Sequence, residues 1–395
     1  MDCFRINVIL ISCILCISQS GYAADLCLES FQRKDHEKAI TECTRAIKEK
    51  KGSAFLYRFY YVRGEAYMVK GQDKKAISDF TEAITLAPIF ADAFYARGNA
   101  YKSLGQYEKA IDDYSSVIAL NPGNTDAYSD RGDTYLKRGA YNEALADFTQ
   151  ALERDGKSVK AYYGRGNVFM AKGDFDSAIE NYTSALDLDQ SFSDAYLHRG
   201  FAYRSIGDFE KAIADYTEAI KKSRGNSRAY YLRGYAQMSL GKRGEAIADF
   251  TMALEFDTKD ADAYYSRAYL YQEGGEYEKA AADYTKLIDM NPKDVVAYVG
   301  RGNVLRASGK FEGAKRDYEK AMALNPEGPD AYYEMAGLFG RKGNTEEACR
   351  WLGNAVEKGF RQWKTVEEDE NFEGVRNARC YEEIMARRPA SEKPK

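Results

Sequence analysis

An arginine followed by a small residue returns along this chain every 34 positions. The pair stands at Arg63-Gly64, Arg97-Gly98, Arg131-Gly132, Arg165-Gly166, Arg199-Gly200, Arg233-Gly234, Arg267-Ala268 and Arg301-Gly302, with Met335-Ala336 as a weaker ninth copy. A fixed period of this length describes one supersecondary unit copied many times, each copy burying its faces only against its neighbours. The 395 residues are therefore expected to extend as a solenoid, not to divide into the two or three globules that length alone suggests. Such chains present surface, and their sequences reveal the kind of work done more readily than the partner.

Within a unit the spacing is helical. From Tyr57 onward the apolar or small positions are Tyr60, Gly64, Tyr67, Ala76, Phe80 and Ala83, in two clusters separated by Gly71. Gly105, Gly139, Gly173, Gly207, Gly241, Gly275, Gly309 and Gly343 lie in step with Gly71, where a left-handed backbone ends a first helix at little cost. Proline closes the second helix at Pro88, Pro122, Pro292 and Pro326. That second helix carries one alanine per unit: Ala76, Ala110, Ala144, Ala178, Ala212, Ala246, Ala280, Ala314 and Ala348. With glycine or alanine opposite in the first helix, the two helices can approach closely while aromatics fill the flanks. Leucine at Gly166 is expected to force them apart, at about 1–3 kcal/mol.

The run Ala93-Phe94-Tyr95-Ala96-Arg97-Gly98-Asn99-Ala100-Tyr101, continued by Gly105, Tyr107, Ala110, Tyr114 and Pro122, resembles a tetratricopeptide repeat. Nine units over 57–362 share the pattern. The resemblance implies an all-α fold, a right-handed superhelical solenoid of stacked antiparallel helix pairs. Residues 24–52 read as a degenerate first pair, because Glu37-Lys38-Ala39-Ile40 echoes Lys74-Lys75-Ala76-Ile77 at a displacement of 37 residues. Departures from the family pattern are modest. Tyrosine or phenylalanine replaces the common tryptophan, Val117 and Leu287 replace an alanine, and most closing prolines are missing between Gly156 and Thr258. After the period stops, Phe372, Val375, Tyr381, Ile384 and Met385 suit a short helical cap over 363–388, and 389–395 are expected to be a polar, disordered tail.

The first residues differ in kind. Arg5 precedes an apolar run from Ile6 to Ser18, and small residues follow at Gly21 and Ala23. This is the pattern of a secretory signal peptide over 1–23, cut after Ala23. An uncleaved membrane anchor is one alternative; a lipoprotein built on Leu10-Ile11-Ser12-Cys13 is another. Export implies a periplasmic or secreted protein. Four cysteines then remain, Cys27, Cys43, Cys349 and Cys380, and an oxidising compartment permits disulfides. Their placement, two at each end, favours Cys27–Cys43 and Cys349–Cys380 as staples; buried free thiols are the alternative. No CxxC occurs among these four, so zinc is not expected.

Composition narrows the partners. The net charge is −4 and the pI about 5.6, which offers nucleic acid no basic footprint. A periodic aspartate, Asp79, Asp113, Asp147, Asp215, Asp249, Asp283 and Asp317 with Asn181 in one unit, answers the periodic arginine. Opposite charges locked to one period predict a ladder of Arg–Asp contacts, structural rather than ligand-binding.

In the family that the repeats resemble, the inner, concave face is formed by the first helix at positions two, five, nine, twelve and thirteen. Position five maps onto Tyr61, Tyr95, Tyr163, Tyr231, Tyr265 and Tyr333; position nine onto Asn99, Asn167 and Asn303, with Glu65 and Asp133; position twelve onto Lys102, Arg204, Gln272 and Arg306; position two is often acidic, as at Asp92, Asp126, Asp194, Asp262 and Asp330. Tyr61, Tyr95, Asn99, Lys102, Tyr163, Asn167, Arg204, Tyr231, Tyr265, Asn303 and Arg306 are the candidate partner-binding residues. Tyrosine offers area with a polar tip and asparagine can pair with an extended backbone. Packing against the next repeat is the competing role for each. Position five never holds a basic residue, which argues against a clamp for chaperone C-terminal carboxylates. His36 and His198 lie in different units without a partner motif, and no Walker loop, GxSxG elbow or dinucleotide fingerprint occurs. The expected function is a non-catalytic scaffold, without cofactor, that binds a peptide or protein in the groove; the alternative is binding or assembly of a cell-wall polysaccharide.

Overall fold

The computed structural model describes residues 22–49 and 52–389. The expected signal segment up to residue 21, its lipobox-like stretch and the tail 390–395 lie outside the described residues. Every element described is helical, 22 α-helices and a short 3-10 helix at Glu370–Phe372. They fall into two compact units, 1–191 and 192–395.

The first unit stacks five antiparallel pairs: Tyr22–Gln32 with His36–Glu49, Leu56–Val69 with Asp73–Leu86, Ala91–Ser103 with Tyr107–Leu120, Thr125–Arg138 with Tyr141–Arg154, and Val159–Lys172 with Phe175–Leu188. The second unit stacks five more: Ser193–Ser205 with Phe209–Lys222, Ser227–Ser239 with Arg243–Phe256, Ala261–Glu273 with Tyr277–Met290, Val295–Ala307 with Phe311–Leu324, and Asp330–Arg341 with Thr345–Glu357. Within each unit a helix packs mainly on its sequence neighbours. The two helices of a pair are called A and B below.

Glycine makes the A-to-B turn as expected. From Gly71 to Gly343 the nine in-step glycines have φ between 67° and 84°, a region closed to most side chains. The Gln72 N–H then returns to the Tyr67 carbonyl at 2.9 Å, satisfying an acceptor that the helix end leaves free. Proline proves dispensable at the other turn. Asp155 and Asp189 end their B helices in an extended backbone without it. The next A helix is often capped by a side chain, as when Asn124 accepts from the Ala127 N–H at 2.9 Å.

Close approach of A and B holds, with a different partner for the glycine. A Cβ on Gly64 would lie 2.5 Å from the Phe80 ring, on Gly166 2.6 Å from Tyr182, and on Gly302 2.4 Å from Tyr318. The nearest atoms are thus those of the B-helix aromatic, rather than the periodic alanine. These rings are among the largest fully buried side chains, so in these pairs an aromatic ring packs directly on bare backbone.

The charged ladder lies both within and between pairs. Arg63 donates from Nε to Asp79 Oδ2 at 2.8 Å and from Nη2 to Oδ1 at 2.7 Å. The same fork recurs from Arg97, Arg131, Arg199, Arg233, Arg267 and Arg301. Its third nitrogen, Nη1, reaches a hydroxyl on the preceding pair: Thr81 from Arg97, Ser115 from Arg131, Thr217 from Arg233, Thr251 from Arg267, Thr285 from Arg301. Those partners lie 16 residues back, whereas Arg63 finds Thr44 at 19. The three extra residues of the degenerate first pair therefore fall between Thr44 and Arg63. Where Asn181 replaces aspartate, Arg165 reaches its Oδ1 through Nε at 2.6 Å. In the last pair both charges are gone, and Met335 and Trp351 share an apolar cluster instead.

Both cysteine staples are present, Cys27–Cys43 and Cys349–Cys380. The second ties the last B helix to the cap, which is three short pieces: Trp363–Glu368, Glu370–Phe372 and Arg379–Met385. Phe372, Val375, Tyr381 and Ile384 bury there as expected, with Met385 packed alongside.

Candidate functional site

All eleven candidate residues are half-buried on A helices, and most of their polar tips are committed to a neighbour. In the first unit Asn99 accepts from the Tyr114 hydroxyl and Asn167 from Tyr182, both at 2.7 Å. In the second, Asn303 accepts from Tyr318 at 2.7 Å and donates to Glu334 at 3.2 Å. Asparagine thus occurs at this position only where the B-helix ring of the same pair is tyrosine, whose buried hydroxyl needs a partner. Tyr216, whose pair carries Phe201 at that place, has a buried hydroxyl with no partner among the described residues.

The tyrosines are equally engaged. Tyr61 packs edge-on to Phe90 at 5.1 Å and tilts over Phe80. Tyr163 meets Tyr182 at 5.8 Å and Tyr231 meets Phe250 at 5.8 Å. The Tyr95 hydroxyl donates to Asp130, and that of Tyr265 to Asp294 at 2.7 Å. Arg204 sits over the Phe201 and Tyr235 rings at 4.5 and 5.2 Å.

Two acidic residues missed in the sequence organise this face. Asp130 receives Lys102 at 2.8 Å and Lys160 at 2.7 Å. Burial would push its carboxyl up, but Lys160 and Lys102 outweigh burial and hold it below the usual range. Glu334 pairs with Arg306 at 2.9 Å, yet burial keeps its carboxyl above the ordinary value. The signal was available: each stands 28 residues after its basic partner, at a position that the other repeat pairs, His198 apart, fill with small or apolar residues. Elsewhere on the first unit's face Glu65 is pushed up to about 7 by burial and then by Asp92.

At the far end of the second unit, that unit's own A-helix face opens into a cleft of about 340 Å³. Its walls include Val296, Val299, Asp330, Phe360, Gln362 and Thr365, and Tyr333 stacks on Phe360 at 4.3 Å with the planes 8° apart. The Tyr333 hydroxyl is held by Asp369 at 2.6 Å. Val299 replaces the tyrosine found at this position in most pairs, and Val296, 66% exposed, replaces a frequent aspartate. No group of three His, Cys, Asp or Glu among the described residues is arranged to hold a metal ion. The His198 ring lies 2.8 Å from the Asp194 carbonyl of its own helix.

Family models for tetratricopeptide repeats match this sequence in overlapping stretches. One TPR repeat model matches 64–105, 98–139 and 302–343; two tetratricopeptide repeat models match 129–191, 163–227 and 197–263, and 261–294. Together they run from 64 to 294 and from 302 to 343. The chain belongs to the tetratricopeptide repeat family. Members of that family are protein-binding scaffolds, generally without catalytic activity. No curated protein matches this tetratricopeptide repeat chain. Among solved structures, a tetratricopeptide repeat protein from Parabacteroides merdae is similar at 21% identity with a TM-score of 0.52, over 63% of this chain and 97% of that one. The C-terminal part of a TPR repeat-containing protein from Cytophaga hutchinsonii is similar at 19% identity with a TM-score of 0.53, over 61% and 99%. Both likenesses concern the fold.

Proposed function

We propose that this tetratricopeptide repeat protein is an exported scaffold that holds an extended segment of another protein along its A-helix faces. The carrying observation is that the eleven candidate residues are neither core nor free. Each is half-buried and most are held by neighbours, so the face is ordered before a partner arrives, which lowers the cost of binding. Tyr61, Tyr95, Asn99, Lys102, Tyr163 and Asn167 on the first unit, and Arg204, Tyr231, Tyr265, Asn303 and Arg306 on the second, are the contact residues in this reading. A polysaccharide ligand ranks second, because the rings of Tyr61, Tyr163 and Tyr231 are already engaged by neighbouring aromatics.

Two disulfides favour an oxidising compartment, periplasmic or extracellular. Among the described residues no helix is long and apolar enough to cross a membrane. Membrane attachment through the leading segment, as an uncleaved anchor or a lipid on Cys13, is the alternative to free release. Crosslinking in an envelope extract, followed by capture of the chain, tests the reading. Captured protein that disappears when the extract is first digested with protease supports it. Retention of a glycan after such digestion would replace it with the second reading.

A further inference from the structure

The cleft at the end of the second unit differs in chemistry from the rest of the A-helix face. Elsewhere the row is mostly tyrosine with acidic or basic neighbours; here two valines, Val296 and Val299, stand against the stacked Tyr333–Phe360 pair. Val296 is mostly exposed, an apolar side chain left in water where the other repeat pairs carry a charge, most often a carboxylate. Thr365 of the cap and Gln362 just before it supply the opposite wall, and Cys349–Cys380 fastens that cap to the body. The floor is fixed, since Tyr333 is held by Asp369 and stacked on Phe360.

Charge at the cleft is uneven. Glu334 is answered by Arg306. Asp330 is exposed at the rim and has no ion pair among the described residues. An occupant that buries an apolar group against the valines and brings a cation to Asp330 satisfies both features at once. A volume of about 340 Å³ suits one large side chain with its flanking backbone, at the small end of ligand pockets.

We infer that this cleft is an anchoring pocket for a peptide segment carrying a branched aliphatic or aromatic residue next to a lysine or arginine. The inference rests on the peptide-binding reading above and specifies which chemistry is selected at one end of the row. The apolar side chain enters between Val296, Val299 and Phe360, and the adjacent cation meets the Asp330 carboxylate. Gln362 and Thr365 offer amide and hydroxyl groups to the peptide backbone.

The test is selection of a random decapeptide library, displayed on phage, against the full chain. Val296→Arg, Asp330→Lys and Val299→Arg variants serve as counter-targets, each checked for folding by its thermal melt. The first two changes are at exposed positions, so loss of binding there is separable from loss of fold. The expected result is enrichment of an apolar residue beside Lys or Arg, with synthetic peptides from the selection binding about tenfold more weakly to Asp330→Lys and not measurably to Val296→Arg. Peptides that enrich without this pair, or bind both variants as well as the parent, overturn the pocket while leaving peptide binding along the face intact. Failure of any peptide to enrich removes both.

Discussion

At the residue scale, what looks like a ligand-reading row is first a set of internal partners. Asn99 owes its place to the Tyr114 hydroxyl buried behind it. Asn99→Ala should therefore cost about 1–2 kcal/mol, and adding Tyr114→Phe should recover most of it, as read by a double-mutant cycle in urea. Tyr216→Phe, which removes a hydroxyl with no partner among the described residues, should be neutral or stabilising. Glu65 gives a pH signature. Its carboxyl titrates near 7 in the folded chain against 4.5 ordinarily, so the folded state holds its proton more tightly. Stability is full below about pH 4.5, falls as pH rises toward 7, and levels off above. In Glu65→Gln that part of the decline should vanish, and the variant should melt higher than the parent at pH 8. An unchanged pH profile would remove Glu65 from the account.

Elements were largely legible in the sequence, and the reason is repetition. Nine copies of one pattern average away local ambiguity, so the helix pairs, the glycine turns and the Arg–Asp register could all be read from spacing. The ring that each glycine meets was not, because which B-helix residue lies over Gly64 or Gly166 depends on how two helices cross. The cleft was not legible either, since it needs Gln362 and Thr365 placed across from Val296 and Val299. The ladder makes its own prediction. Arg267→Ala would leave Asp283 buried without its fork and should cost about 3 kcal/mol, whereas Arg267→Met with Asp283→Leu should be far milder. The last pair already carries such an exchange in Met335 and Trp351. The staples close loops of 16 and 31 residues, for which loop entropy gives about 3–4 kcal/mol each. Reduction should lower the melting temperature, and amide exchange should rise first in Tyr22–Gln32 and Arg379–Met385. Uniform exchange across the chain would speak against terminal stapling.

For the molecule as a whole, contacts between sequence neighbours dominate each unit, so cooperativity should be limited. The chain's two tryptophans, Trp351 and Trp363, both lie in the cluster that the last pair and the cap form together. Their fluorescence reports one end, while circular dichroism reports every helix. In guanidinium the two transitions should not coincide; superimposable curves would show a single cooperative block instead. One consequence of the ladder reaches beyond stability. Because each guanidinium grips its own pair and the hydroxyl one pair earlier, the seams from Arg97 to Arg131 and from Arg233 to Arg301 are chemically interchangeable. A gene of this kind can gain or lose whole blocks of 34 codons and find every joint already fitted, while an indel of any other size must be absorbed in a loop, as the three residues before Arg63 have been.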